Sequence, residues 1–176
     1  MLIYRDIISG DEICSDTSKI IDAGNGLWEI DGRMVKKGAE NFVLDGANPS
    51  AEGDDADDGG DDSGDNQPVL DLADQFRLAK IEGGMSKKSY QSELKKYMKA
   101  LTEKLKERGT PEEDIKKFQS EAPAAAKKIL GNWDNYDIYQ GESMAENSMY
   151  VLVDFREDGM TPYMTVWKWG LEEYKV

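Results

Sequence analysis

The clearest structural signal in the chain lies in residues 86–118, SKKSYQSELKKYMKALTEKLKERGTPEEDIKKF. Apolar residues recur there at steps of three and four, the spacing that gives an α-helix one apolar face: Tyr90, Leu94, Tyr97, Met98, Leu101 and Leu105. The spacing predicts a helix over residues 86–108, which Gly109 ends. A second stripe predicts an antiparallel neighbouring helix after a short turn, and it consists of Ile115, Phe118, Ala122 and Ile129.

The second helix has start and interruption signals of its own. Thr110 is suited to cap it, Pro111 to be its first residue, and Glu113 to complete a capping box. Pro123 lies within the apolar stripe, and a proline inside a helix removes a hydrogen bond and clashes with the preceding turn. We therefore expect the helix to kink or end near Ala122.

Positive charge is concentrated on the first of these helices. Residues 87–108 hold eight bases and three acids, a net charge of +5, although the whole chain has a formal net charge of -14. This imbalance favours the docking of an acidic partner surface; a solvated outer helix face is the alternative interpretation. The candidate partner-binding residues are Lys87, Lys88, Lys95, Lys96, Lys99, Lys104 and Lys106.

Negative charge is concentrated in residues 45–65, which hold nine acids and no base. Such a segment cannot bury enough apolar surface to offset the entropy of ordering, so residues 45–67 are predicted to form a long flexible acidic loop. A match to an EF-hand loop that starts at Asp55 fails, because Gly59 and Asn66 stand where ligands are needed. Weak calcium binding remains a candidate role, with a solvated loop as the alternative; the candidate ligands are Asp54, Asp55, Asp57, Asp58, Asp61 and Asp62.

Strand signals flank these segments. Residues 2–9 have the apolar content of a strand, and residues 27–37 are typical of a hairpin with Asp31 and Gly32 in its turn. Aromatic and β-branched residues predict three late strands, at 136–140, 149–155 and 163–169, the last two joined at Asp158 and Gly159. We expect the early and late strands to form one core sheet.

The chain length fits a single domain, residues 1–176, since domains usually hold about 100 to 150 residues. The predicted class is α+β: an antiparallel or mixed β-core over residues 1–44, 68–85 and 131–176, a helical hairpin over 86–130, and the acidic loop over 45–67.

The composition disfavours several functional classes. The chain has no histidine, which removes the commonest general base and most zinc and copper sites. Its only cysteine, Cys14, has no disulfide partner, and the acids around it disfavour a reactive thiolate. The net charge repels nucleic acid and anionic membranes. We therefore expect a non-enzymatic cytoplasmic protein whose default partners include neither nucleic acid nor membranes. We also expect no signal peptide and no membrane span.

Glu12 and Glu142 stand in loop-like contexts and could act as an acid–base pair. With 36 acids in the chain, a coincidental pair is the alternative, and the sequence alone does not bring them together.

Five segments carry a resemblance to a known family: MLIYRDIISGDEICSD at 1–16, GANPSAEG at 46–53, SKKSYQSELKKYMK at 86–99, YQGESM at 139–144 and DFREDGMTPYM at 154–164. In order and spacing they resemble the translationally controlled tumour protein family over the whole chain. The resemblance implies a twisted β-sheet "tent" of the kind shared with a zinc-bearing Rab accessory protein, a protruding helical hairpin and a flexible acidic loop.

The resemblance also implies functions. It implies a cytoplasmic protein that binds calcium and tubulin, stabilises microtubules, and supports growth and survival. The implied partners include small GTPases, translation elongation factors and apoptosis regulators. Zinc is not expected, because the cysteines that bind it in the related accessory protein are missing here, and the chain ends in Val176 where many animal members have cysteine.

Two site residues follow from the resemblance. Glu12 matches the family glutamate implicated in contacting the small GTPase Rheb, and Glu142 matches the glutamate of the family's GE segment. The basic helix matches the region associated with tubulin and calcium. The leading hypothesis is an interaction protein whose basic helix binds acidic partners such as tubulin tails, and the alternative is an exchange factor-like regulator that uses the face around Glu12 and Glu142.

Overall fold

The computed structural model describes residues 1–36 and 68–175. In chain order these residues form β1 (Leu2–Asp6), β2 (Glu12–Ser15), β3 (Ile20–Gly24), β4 (Leu27–Asp31), β5 (Met34–Lys36), β6 (Pro68–Leu70), α1 (Asp71–Phe76), β7 (Ala79–Lys80), α2 (Lys87–Glu107), α3 (Glu112–Gly131), β8 (Asp137–Gln140), β9 (Tyr150–Phe155), β10 (Pro162–Trp167) and β11 (Leu171–Lys175). Short 3-10 turns lie at Trp133–Asn135 and Lys168–Gly170. The predicted acidic loop, residues 45–67, lies outside the described residues.

The described strands form three sheets with antiparallel pairing throughout. A six-stranded sheet has the order β3-β4-β10-β9-β8-β7, a three-stranded sheet has the order β11-β1-β2, and β5 pairs with β6. In the three-stranded sheet, Leu2 lies opposite Lys175 and Asp6 opposite Leu171, so the first and last strands are neighbours. Antiparallel sheets with helices confirm the predicted α+β class. The prediction of one core sheet is wrong in part: β4 lies in the same sheet as the late strands β8, β9 and β10, whereas β1 lies in the three-stranded sheet.

The predicted hairpin across Asp31 and Gly32 is wrong. Strand β4 pairs with β3 and β10, whereas β5 pairs with β6. Gly32 lacks the positive φ that a type I′ turn requires. Its N–H donates to the carbonyl oxygen of Pro162 (2.9 Å), and an added Cβ would lie 2.8 Å from Oδ1 of Asp71. Close packing of three chain segments therefore explains this glycine.

The turn that the sequence prediction missed joins β3 to β4. Asn25 has a φ of 55° and Gly26 a φ of 83°, and positive φ at both central residues is what a type I′ hairpin turn needs. An added Cβ on Gly26 would also lie 2.8 Å from Cδ1 of Trp169. An Asn-Gly pair next to apolar residues is a strong hairpin signal, so this turn was readable from the sequence.

The late strands lie within one or two residues of their predicted bounds, and the turn between β9 and β10 includes Asp158 and Gly159 as expected. The Asp158 carboxylate holds this turn, since its Oδ1 accepts hydrogen bonds from the N–H groups of Met160 (2.7 Å) and Thr161 (2.8 Å). The first strand is shorter than predicted, because the N–H of Gly10 donates to the carbonyl oxygen of Asp6 and the chain turns there.

The first helix of the hairpin agrees closely with its prediction. Ser86 caps α2 by accepting a hydrogen bond at its Oγ from the N–H of Ser89 (3.1 Å), and Gly109, with a φ of 78°, follows its end. The predicted apolar stripe is turned inward: Tyr90, Leu94, Tyr97, Leu101 and Leu105 are buried.

The second helix differs from its prediction at its start, and it does not end near Ala122. Pro111, rather than Thr110, precedes the first helical residue of α3, and no side chain caps that end, so the predicted capping box is wrong. The helix also continues past Pro123 to Gly131. Ala125 and Ile129, beyond the proline, are both fully buried. Burial of this apolar face offsets the hydrogen bond that proline removes.

The two helices lie side by side and antiparallel. Gln91 near the start of α2 shares a groove with Leu130 near the end of α3, and Lys106 shares another with Glu112 at the opposite end. Aromatic rings fix the pair to the β-core: Tyr90 stacks on Trp133 with centroids 4.4 Å apart, and Phe118 lies against Trp169. One face of α2 is therefore held by packing, and the opposite face is exposed.

Within residues 1–36 and 68–175, no helix has both the length and the apolar character that crossing a membrane requires.

Candidate functional site

Helix α2 sorts its seven candidate lysines into two sets. At 100° per residue, Lys88, Lys95, Lys99 and Lys106 fall within about 40° of one another. We call these four residues the lysine stripe. They lie roughly opposite Tyr90 on the helix circumference, and all four are exposed. Lys87, Lys96 and Lys104 point in other directions, and Lys104 is half-buried.

The acids of α2 do not neutralise the stripe through ion pairs among the described contacts. Glu93 pairs with Lys96, with Nζ and Oε2 3.4 Å apart, and Lys96 is outside the stripe. The other carboxylate oxygen of Glu93 accepts a hydrogen bond from the Tyr150 hydroxyl (3.4 Å). The stripe therefore presents four positive charges on one side of a rigid support, suited to carboxylates on a partner.

The structure brings Glu12 and Glu142 together. Both line a polar cleft of about 430 Å³, whose other lining residues are Gly10, Asp11, Gln75, Phe76 and Arg77. Arg77 brings a positive charge to the same cleft, and its Nη1 is 3.4 Å from Oε2 of Glu142. Glu12 and Glu142, which the sequence alone did not bring together, thus belong to one surface that also carries a guanidinium group.

Asp11 ties together the two loops that carry these glutamates. Its Oδ2 accepts hydrogen bonds from the Ser143 hydroxyl (2.7 Å) and the Ser143 N–H (3.2 Å). Gly141 makes the approach possible, because an added Cβ there would lie 2.5 Å from the Cβ of Asp11. The cleft is therefore preformed rather than assembled by a partner.

Asp6 anchors the same region from inside. Only 1% of this residue is exposed, and its carboxylate accepts hydrogen bonds from the N–H groups of Ile8 and Met149, each 2.8 Å long. Burial raises the pKa of the Asp6 carboxyl, and these N–H groups oppose the rise. Asp6 thereby joins the loop after β1 to Met149, the residue before β9.

Sequence reasoning missed Asp6, Asp11 and Arg77. Arg77 follows α1 with a φ of 56°, a left-handed conformation that is uncommon outside glycine, asparagine and aspartate. Nothing local in the sequence marks it. Asp6 stands in an apolar strand, where a charged residue needs buried partners, and that signal could have been used.

Cys14 is fully buried in β2. Burial raises the pKa of its thiol to about 12, so the protonated thiol is favoured at neutral pH. The acidic neighbours that the sequence offered as the reason are not the cause; removal from water is.

No cluster of three or more histidine, cysteine, aspartate or glutamate side chains suited to a metal ion occurs among the described residues. The six calcium candidates, between Asp54 and Asp62, lie outside those residues, so calcium binding stays a prediction.

Comparisons with known proteins cover the whole chain. A family model described as "Translationally controlled tumour protein" matches residues 1–172. The translationally-controlled tumor protein homolog of Aspergillus fumigatus is 54% identical over 181 residues, and the homolog of Yarrowia lipolytica is 44% identical over 178 residues, each match covering 100% of both chains.

Solved structures are similar in fold. The translationally controlled tumor-associated protein p23fyp from Schizosaccharomyces pombe matches with a TM-score of 0.74 and 40% identity over 100% of both chains. The solution structure of the translationally-controlled tumor protein from Caenorhabditis elegans matches with a TM-score of 0.68 and 25% identity, over 100% of this chain and 99% of that one.

Proposed function

Because the chain belongs to the translationally controlled tumour protein family, we propose that it is a non-enzymatic interaction protein that binds acidic protein surfaces through the lysine stripe of α2. Tubulin, with its acidic tails, is the partner that the family resemblance implies, and stabilisation of microtubules is the implied result.

The lysine stripe is the single observation that carries this proposal. A chain with a net charge of -14 should repel an acidic partner at long range. At physiological ionic strength, however, exposed charges are screened beyond about 8 Å, so a partner at the helix surface responds mainly to the nearby lysines. Four aligned lysines on a packed helix present their charge without the entropy of ordering a loop.

Co-sedimentation with microtubules tests the proposal. Replacing Lys95 and Lys99 by glutamate should weaken binding about tenfold or more, and raising the salt concentration should weaken the wild type in the same direction. The matched control is Lys87→Glu with Lys96→Glu, which changes charge equally on the same helix outside the stripe and should have a much smaller effect. Equal losses of microtubule binding in both double variants, or binding that does not change with salt, would show that the lysine stripe is not the binding surface.

A second candidate function uses the cleft between Glu12 and Glu142. The family resemblance implies a GTPase contact at Glu12, and the specific observation in its favour is that both glutamates line one preformed cleft with Arg77. A mixed acidic and basic cleft fits a partner surface that carries both charges, such as the switch region of a small GTPase.

Nucleotide release from a purified small GTPase tests this second candidate. We expect Glu12→Val and Glu142→Gln each to slow any stimulated release, whereas Glu146→Gln, in the same loop as Glu142 but outside the cleft lining, should not. An unchanged rate in the Glu12 variant would argue against the cleft as the contact.

On the family resemblance, we also propose a cytoplasmic location, weak calcium binding, a role in growth and survival, and translation elongation factors and apoptosis regulators as further partners.

A further inference from the structure

An apolar groove runs along the hairpin between α2 and α3. Its larger part has a volume of about 580 Å³ and is lined by Gln91, Leu94, Lys95, Met98, Ala122, Pro123, Ala126 and Leu130. A second hollow continues it along the hairpin and shares Met98, Ala122 and Pro123 with it. From Gln91 to Thr102 the groove extends about 17 Å, which matches three turns of a helix.

The rim of this groove is positively charged. Lys95 and Lys99 are the charged side chains that line these two hollows, and both belong to the lysine stripe. No acidic side chain among the described residues lines either hollow. Because the two lysines are four residues apart on α2, they match carboxylates spaced by one helical turn on an occupant.

We propose that this groove binds an amphipathic helix of a partner protein, with apolar residues on the groove floor and a flank of aspartate or glutamate against Lys95 and Lys99. Binding of a helix in a groove through residues at i, i+3, i+4 and i+7 is a recurrent recognition mode. The proposal rests on the same lysines as the proposed function but adds the apolar floor, which an unstructured acidic tail cannot fill.

Other occupants fit less well. The chain's own residues 45–65 are acidic enough, but alanines and one proline are their only apolar residues. A second copy of the hairpin would place lysines against lysines. A bilayer surface is flat and cannot reach the floor of a groove between two helices.

The probe is a synthetic helical peptide with leucines at i, i+3 and i+7 and glutamates on one flank, measured by fluorescence anisotropy with the full chain. Two control peptides separate the contributions: one replaces the glutamates by lysines, and the other is an oligoglutamate without leucines. We expect the amphipathic acidic peptide to bind about tenfold more tightly than either control.

Variants locate the binding. Ala122→Phe fills the groove floor and should weaken peptide binding about tenfold, whereas Ala124→Phe, an exposed position on the same helix that does not line the groove, should not. Lys95→Glu should weaken it, and Lys117→Glu, exposed on α3 outside the groove lining, should have little effect.

Microtubule binding by the Ala122→Phe variant separates this proposal from the proposed function. Retained microtubule binding with lost peptide binding supports the groove and shows that the variant is folded. Peptide binding without microtubule binding in the wild type would sink the proposed function and leave the groove standing. Equal affinity for oligoglutamate, equal peptide binding by Ala122→Phe, or an Ala122-dependent attachment to anionic vesicles in place of the peptide would overturn the groove proposal.

Discussion

Gly170 lies where the carboxyl-terminal part of the chain approaches α2. Its carbonyl oxygen accepts a hydrogen bond from the N–H of Ile7 (2.9 Å), and an added Cβ would overlap the hydroxyl oxygen of Tyr97 and lie 2.9 Å from Cε of Met149. The Tyr97 hydroxyl is itself buried without a hydrogen-bond partner among the described atoms. The lack of space for a side chain, rather than a positive φ, thus requires glycine at this position.

Replacing Gly170 by alanine should lower the free energy of unfolding by about 1 to 3 kcal/mol, because the side chains around it cannot move apart without losing packing. Urea denaturation measures this. Gly131→Ala is the matched control: it stands at the end of α3 with no atom within 4 Å of an added Cβ, and it should be neutral or stabilising by up to about 1 kcal/mol. Similar losses in both would contradict the packing argument.

Helices α2 and α3 show what pattern can and cannot predict. Their apolar stripes, and the bounds of α2, followed from spacing alone, since burial on one face imposes that spacing. The start of α3 could not be predicted in this way, because Thr110 and Pro111 are both acceptable before a helix and packing decided between them. The prediction of a hairpin after β4 was wrong because an Asp-Gly pair has the same sequence signature whether its glycine forms a turn or allows a close contact. The cleft residues required the long-range pairing of loops, which no local signal encodes.

Substitution of Pro123 measures how much strain the proline introduces into α3. Pro123→Ala restores the backbone N–H inside a helix that continues to Gly131, so it should raise the free energy of unfolding by about 1 to 3 kcal/mol in urea denaturation. Ala124→Pro, one position along, should lower it by about 3 kcal/mol or more. An unchanged stability for Pro123→Ala would mean that the helix accommodates its proline without cost.

Glu172 joins the end of the hairpin to the three-stranded sheet. Its carboxylate accepts hydrogen bonds from Nη1 of Arg108 (2.6 Å), which follows α2, and from Nη2 of Arg5 (3.1 Å), which belongs to β1. The hydrogen bond from Arg108, with the charge of both guanidinium groups, lowers the pKa of Glu172 below its ordinary value of 4.5.

Because the folded state lowers this pKa, the ionised form contributes stability that is complete well above pH 4.5 and is lost as the pH falls through the lowered pKa. Glu172→Gln should therefore cost about 0.5 to 1 kcal/mol at pH 7, and the difference from wild type should shrink on acidification. Glu173→Gln, the exposed neighbour, should cost little at either pH. A penalty for Glu172→Gln that does not depend on pH would contradict this linkage.

The distribution of charge over the whole molecule sets a further expectation. Replacing the six calcium candidates, Asp54, Asp55, Asp57, Asp58, Asp61 and Asp62, by asparagine changes the formal net charge from -14 to -8. Long-range repulsion of acidic partners should fall, so microtubule binding should tighten at low salt and equal the wild type at high salt.

The same variant with six substitutions tests calcium binding by isothermal calorimetry. Loss of calcium heat would support these aspartates as ligands, and retained heat would place any calcium site elsewhere. A tightening of microtubule binding that persists at high salt would show that charge repulsion is not its cause.

Strand β1 takes one neighbour from the residues that follow it at once and the other, β11, from the far end of the chain. A ribosome must therefore release all the residues from β1 to β11 before this small sheet can close, and until then the edge of β1 stands open. Joining the two ends through a short linker and opening the chain elsewhere would make that last pairing local, and such a permuted protein should fold faster than its parent while keeping the same final arrangement.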